Sequence, residues 1–305
     1  MSAMMRSFLP SETRRLIKST RKFTTKACTD YANSGVRFEP KTRFGIIGYG
    51  NIGRQIGQAL KNNGYDNVRA TKLTTPHHDK CPDTGISVST NNRSLALTSD
   101  IIFVAVKPYQ VKPVCHEIES YTGIGQLLIC TAAGTRIKFL NRWSPYTNNI
   151  SIMPNLAIGY GGSILTWYTE YQIPLIRDRL ANLFLDSKSI WLHDENMMSQ
   201  VTCSSGSASA YISSMLEDCI QASIKVGMDE DLARQVWIDS LIGTAQMLAE
   251  GVDPQNIIKQ TTSQEGVTRH VLNQLEHLHL MDTIRKLQFS GLQKILQIET
   301  ELDNM

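Results

Sequence analysis

Gly48, Gly50 and Gly53 stand in a G-x-G-x-x-G spacing, with Tyr49, Asn51 and Ile52 between them. Between a strand and a helix, that spacing suits binding of a dinucleotide. The first glycine allows a tight turn. The second lets a pyrophosphate approach the backbone, and the third lets helix pack close to strand. The free N–H groups at the helix start then face the phosphates. Phe44 to Ile47 reads as a short buried strand before the loop, and Arg54 to Leu60 as a helix after it. The plainer alternative is a glycine-rich turn that only packs a βα unit.

Which dinucleotide is bound depends on the end of the next strand. An NAD site usually places Asp or Glu there, to bond the ribose 2′-hydroxyl. The second strand is predicted over Val68 to Thr74, and its end, Thr74-Thr75, carries no acid. These hydroxyls, with Lys72, His77 and Lys80 nearby, suit a 2′-phosphate, so NADP (NADPH) is favoured over NAD. The six cysteines include no C-x-x-C pair, so neither a zinc site nor a redox pair is signalled. The histidine pairs His77-His78 and His277-x-His279 lack neighbouring ligands at metal spacing. No metal is expected.

The elements that must position these residues follow from the pattern. Asp100 to Val106, Leu127 to Thr131, Ile150 to Met153 and Ser163 to Tyr168 read as strands alternating with helical segments, which predicts a parallel sheet. After about Asp194 the strand signals fade. Helices are predicted over Ser209 to Val226, Glu230 to Glu250, Thr268 to Leu278 and Asp282 to Leu302. The expected fold is an α/β Rossmann-like dinucleotide-binding domain over 43–194, followed by an all-helical dimerisation and substrate domain over 195–305. Those apolar helices should need a partner chain, so a homodimer or larger homo-oligomer is expected.

Composition limits the function classes. At 305 residues with 41% hydrophobic and 19% charged, the chain reads as a globular protein of about two domains. No apolar run approaches the ~18 residues of a membrane helix. The net charge of +3 is too small to suggest nucleic-acid binding. Residues 1–43 hold ten Lys/Arg and three acids (+7), leaving 21 basic and 25 acidic residues (−4) for the remainder. Residues 1–42 therefore read as a basic, disordered extension, either without targeting value in a cytoplasmic protein or a mitochondrial-type transit peptide.

Six segments in order carry a family resemblance. They are the glycine loop, Ile102 to Pro108, Cys130 to Gly134, Ile152 to Asn155 and Ser204 to Tyr211, and a sixth, Thr262 to Thr268, leads into a helix. Over about 43–300 the chain resembles pyrroline-5-carboxylate reductases. The resemblance implies reduction of the ring C=N of 1-pyrroline-5-carboxylate to proline with hydride from NAD(P)H. It implies that Val106, Lys107 and Pro108 line the nicotinamide end, with Ala132, Ala133 and Gly134 beside it. Thr74 and Thr75 would contact the 2′-phosphate and Asn91 would lie near the adenine ribose. Asn155, Gly266, Val267 and Thr268 would meet the substrate. The Thr268 hydroxyl would lie near its nitrogen as the catalytic group, and the preceding N–H groups would hold its carboxylate.

Each segment also has a plainer reading. Pro108 could only stop a strand. Ala132 to Gly134 could be a tight βα turn. Ser207, Ser209 and Thr268 could be helix caps. Glu217 falls where relatives carry an acid but could face solvent.

The resemblance is uneven. The usual Ser-Pro-Gly-Gly before the Thr is Ser263-Gln264-Glu265-Gly266 here, which adds a charge that repels a carboxylate. Ala208-Ser209 replaces Gly-Pro, and Leu156-Ala157 replaces Thr-Pro. The cofactor motifs are nearly intact and the substrate motifs are each partly changed. Two alternatives therefore stand beside the reductase. One is a paralogue that binds NADP as a sensor or partner protein. The other is a β-hydroxyacid dehydrogenase, although no Gly-x-x-x-Lys-x-x-Asn surrounds Lys225.

Overall fold

The computed structural model describes residues 36–74, 81, 84–161, 163–171 and 174–305. The basic extension to residue 35 and the segment Thr75 to Lys80, with its histidine pair, lie outside the described residues. The chain forms two compact units. One reaches to Gly206 and takes in Ile295–Met305, and the other is Ser207–Lys294.

The first unit is built on an eight-stranded sheet. Its strands are β1 (Phe44–Ile47), β2 (Val68–Thr71), β3 (Ser87–Ser89), β4 (Ile101–Val104), β5 (Leu127–Cys130), β6 (Asn148–Met153), β7 (Ile164–Tyr168) and β8 (Lys188–Trp191). They lie in the order β3-β2-β1-β4-β5-β6-β7-β8. Every neighbouring pair is parallel except β6 and β7. Strands β1, β4 and β5 are buried at every position, as expected of a parallel sheet covered on both faces.

Alternation along the strands separates two cores. Ile46, Phe103 and Ile129 point into one, and Ile47, Ile102, Val104 and Leu128 into the other. Helix α1 (Asn51–Asn62) covers the first face with the stripe Gly53, Ile56, Gly57, Ala59 and Leu60. Helices α2 (Asn92–Leu97), α3 (Pro108–Ile118) and α4 (Ile137–Trp143) cover the second. Two further helices, α5 (Pro174–Ala181) and α6 (Asn196–Val201), follow. The strand order reverses between β1 and β4, so the crevice beyond their carboxyl ends is where such a sheet binds ligands.

The second unit is helical. It holds α7 (Ala208–Lys225), α8 (Glu230–Ala249), α9 (Pro254–Thr261), α10 (Val267–His277) and most of α11 (Leu280–Asp303). The Asp229 carboxylate accepts from the N–H groups of Asp231 and Leu232, both at 3.1 Å, and starts α8. Asp253 does the same for α9, with Pro254 at the first helical position. Among the described residues no helix is long and apolar enough to cross a membrane.

Several sequence expectations need correction. β2 ends at Thr71, not Thr74, because its ladder with β1 stops there and the Lys72 N–H bonds the Ser89 carbonyl at 2.9 Å. β3 and β8 are additional strands. β3 is three residues of Ser-Val-Ser, too short and polar to show an alternation. Thr268 is not a cap. The cap position of α10 is Gly266, and the hydroxyl sits inside the first turn. Ser209 likewise lies inside α7, and Ser207, at the cap position, makes no side-chain capping bond.

Truncating the core beneath the crevice should cost stability in proportion to the cavity left. Leu128 is fully buried in the second core. Leu128→Ala should therefore destabilise the first unit by about 2–5 kcal/mol, read as a lowered urea midpoint at unchanged slope.

Candidate functional site

The glycine loop closes the β1–α1 turn with each glycine in a distinct role. Gly48 has φ +92°, and a Cβ there would lie 2.6 Å from Val106 Cγ1 and 2.8 Å from the Ala105 carbonyl. A Cβ on Gly53 would land on the Gly48 carbonyl oxygen. At Gly50 a Cβ would meet nothing within 4 Å. The first and third glycines are thus forced by the protein, whereas the second borders open space. The Gly48 and Tyr49 N–H groups bond the Thr71 carbonyl at 3.1 and 2.8 Å, and Gly50 N–H bonds Gly48 at 2.8 Å. The N–H groups of Asn51, Ile52 and Gly53 begin α1 and have no acceptor within the helix. No acidic side chain lies in that first turn.

This geometry fits a dinucleotide. A glycine with empty space at its Cα, beside unbonded N–H groups at a positive helix end, is what a pyrophosphate needs. Asn51, Ile52 and Gly53 would hold it through the backbone. Tyr49 would contribute only backbone, because its ring is 3% exposed and its hydroxyl contacts Thr84 Oγ1 at 2.7 Å.

Around this loop the structure gathers most of the predicted residues of the first unit. Val106 sits beside Gly48. Lys107 stands at the cap position of α3, where its N–H bonds Gln110 Oε1 at 3.2 Å, and Pro108 begins the helix. Pro108 therefore starts a helix more than it stops a strand. Ala132 is buried and Ala133 packs against Met153, Leu192 and Met198. Gly134, at φ +73°, faces α11, since a Cβ there would lie 3.0 Å from Ile298 Cγ2 and 3.4 Å from Glu299 Cγ.

Thr74 is exposed past the end of β2, and Thr75 lies outside the described residues. Asn91 caps α2, its Oδ1 accepting from the Ser94 N–H at 2.9 Å. Asn155 Oδ1 accepts from the Ala157 N–H at 3.0 Å and the Ser163 hydroxyl at 2.8 Å. That oxygen pins the loop after β6.

Gly266, Val267 and Thr268 lie in the second unit, at the start of α10. Gly266 has φ −81°, which any residue adopts. A Cβ there would meet only the Ser263 hydroxyl, the rotatable end of a small side chain, so the position does not require glycine. Glu265 and Val267 are exposed and Thr268 is half-buried. Glu217 is exposed on α7 and accepts from Gln221 Nε2 at 3.0 Å.

Sequence reasoning missed a polar knot beside Ala132 to Gly134. Arg136 Nε and Nη2 reach Glu299 Oε2 at 2.8 and 2.7 Å, and Arg136 Nη1 donates to Asn196 Oδ1 at 3.0 Å. The buried Ser199 hydroxyl donates to Glu299 Oε1. Glu195 accepts from the Ile137 N–H, and burial pushes its carboxyl above the usual range. Pairs separated by 58 to 163 positions leave no periodic signal. A polar Arg136 after a glycine turn was the only trace.

A mostly parallel sheet carrying this loop at its order reversal defines a Rossmann-like dinucleotide-binding domain. A family model described as "NADP oxidoreductase coenzyme F420-dependent" matches residues 43–134, and one described as "Pyrroline-5-carboxylate reductase dimerisation" matches 195–296. The pyrroline-5-carboxylate reductase of Haemophilus influenzae is 28% identical over 84% of this chain and 97% of its own length. That of Pisum sativum is 27% identical over 76% and 87%. The fold is shared with the NADP-bound pyrroline carboxylate reductase of Plasmodium falciparum, at TM-score 0.79 and 20% identity over 86% of this chain and all of that one. The Coxiella burnetii pyrroline-5-carboxylate reductase gives TM-score 0.72 and 24% identity over 84% and 98%. Over most of its length the chain is thus similar to pyrroline-5-carboxylate reductases.

The glycine geometry predicts two separable failures. Gly50→Ala should leave thermal stability unchanged and weaken NADPH binding about ten-fold or more, ~1.4 kcal/mol. Gly48→Ala, strained at positive φ and against the Ala105 carbonyl, should cost about 1–3 kcal/mol of stability without any ligand. Thermal melts of the apoprotein with NADPH fluorescence titrations check both.

Proposed function

We propose that this protein reduces the ring C=N of 1-pyrroline-5-carboxylate to proline with NADPH. The observation that carries the reading is the glycine turn at the sheet's order reversal, joined in one chain to a helical unit of the reductase family. The bound dinucleotide supplies the hydride. The protein supplies position and proton handling, so no catalytic triad is required. The Asn51 to Gly53 N–H groups hold the pyrophosphate. Val106, Lys107, Pro108 and Ala132 to Gly134 shape the nicotinamide end.

Exposed Thr74 and Lys72, with no acid from Thr71 to Thr75, support NADP over NAD. Asn91 is assigned to the adenine-ribose end. Asn155 is assigned to the substrate side. The free N–H groups at the start of α10, after Gly266, bind the substrate carboxylate. The Thr268 hydroxyl donates a hydrogen bond to the ring nitrogen, where a proton must be delivered as hydride reaches the carbon. Glu265 in the carboxylate loop favours one other reading, a paralogue that keeps the cofactor but not this substrate.

The helices of the second unit also support a homodimer. Only Ala233 of the twenty residues of α8 is buried, while Leu232, Val236, Trp237, Leu241 and Ile242 are each more than a third exposed. An apolar groove of about 310 Å³ runs between α7 and α8, lined by Ile212, Met215, Leu216, Cys219, Trp237 and Leu241. A helix apolar on most sides is one that is buried in use.

Purified protein with NADPH and pyrroline-5-carboxylate should oxidise NADPH and yield proline. NADPH binding without turnover would overturn the reductase in favour of the paralogue. Thr268→Ala should lower kcat far more than cofactor affinity, by about 10²-fold. Replacing Leu241 by Arg should shift the protein from dimer to monomer in light scattering, because a charge in an apolar interface core stays unpaired.

A further inference from the structure

Helix α11 ends on the turn that follows β5, and the contact is specific. Ile298 and Leu302 enter the core beneath α4. Gly134 lies against Ile298 and Glu299 so closely that a side chain there would crowd both. The Thr135 N–H closes the turn onto the Ala132 carbonyl at 3.2 Å. The next residue, Arg136, grips Glu299 through two nitrogens, at 2.8 and 2.7 Å.

The Glu299 side chain is only 11% exposed, and its other oxygen accepts from the buried Ser199 hydroxyl. A third Arg136 nitrogen holds Asn196 at 3.0 Å, and Asn196 in turn is fixed on Asp194 at 2.9 Å. Three separate stretches of chain meet at one guanidinium, whose rigid fork defines direction as well as distance. The same helix end makes other ion pairs, Asp303 with Lys138 at 2.7 Å and with Arg142 at 3.8 Å. Those lie on the exposed face of α4, away from the turn.

We propose that Glu299 is a positioning residue that acts through Arg136 and Ser199 to fix the Ala132–Gly134 turn at the nicotinamide end of the cofactor site. The inference rests on the reading that this turn borders the nicotinamide. A hydride must be delivered along a defined line, and an error of about an ångström in its support costs rate. The turn itself has small side chains and a glycine, so it cannot hold its own position. The Arg136–Glu299 pair does this from the far end of the chain. Closing the site then depends on the last turn of α11, about 160 residues further along.

Hydrogen exchange of the 131–136 segment tests the underlying reading first. It should slow when NADPH is added to the wild-type protein, and no slowing would remove the site assignment itself. With that established, Glu299→Gln and the milder Ser199→Ala should speed exchange of the same segment in the apoprotein. Both should weaken NADPH binding, by about ten-fold for Glu299→Gln, while the affinity for 2′,5′-ADP, which lacks the nicotinamide, stays unchanged. Asp303→Asn, which removes the exposed pair, should alter neither affinity. Unchanged NADPH affinity in both Glu299→Gln and Ser199→Ala, with the exchange result intact, would overturn the positioning role alone. Equal weakening of NADPH and 2′,5′-ADP would also overturn it, by showing a general loosening of the domain.

Discussion

The nucleotide-binding unit depends on one close approach. Helix α1 can begin where it does only because Gly53 has no side chain, and any Cβ there would occupy the place of the Gly48 carbonyl oxygen. That contact brings the helix axis to the end of β1. It holds Gly48 in its left-handed conformation beside Ala105 and Val106, and it leaves the first N–H groups of α1 facing the crevice. Everything assigned to phosphate binding follows from this placement. The buried strands β1, β4 and β5 make it rigid, since neither sheet face can shift without opening a core.

The second determinant lies at the other end of the chain. Residues 295–305 group with the sheet unit, although the helix that carries them starts among the helices of the other. Their attachment combines apolar burial at Ile298 and Leu302 with the Arg136–Glu299–Ser199 knot. The apolar part supplies attraction without direction. The knot supplies direction, because a buried carboxylate with two partners has few other places to go. The helices of the second unit show the opposite condition. Their polar caps are well made at Asp229 and Asp253, but their apolar side chains stay exposed in a single chain.

Local pattern made much of the fold legible. Ile101 to Val104 and Leu127 to Cys130 announced themselves as buried strands because both faces of a parallel sheet are covered. The long helices showed a 3.6-residue spacing of apolar positions such as Ile212, Met215, Cys219 and Ile220. Shorter elements stayed hidden. Ser87–Ser89 has no alternation to see, and α9 is a single short helix between polar turns. The extent of β2 was overread because Lys72 to Thr74 carry strand-compatible residues, while the ladder that would make them a strand ends at Thr71.

The sequence by itself determined the glycine turn, the order of α/β and helical parts, and the missing acid after the second strand. These are properties of neighbouring residues, and local sterics and periodicity express them directly. Only the tertiary structure decided which glycine borders open space and that the ring of Tyr49 is spent on the core. It also decided that Glu299 sits beside Gly134. Those facts join residues that are distant along the chain. The energies that select them come from packing and desolvation, which act on neighbours in space and leave no mark in spacing.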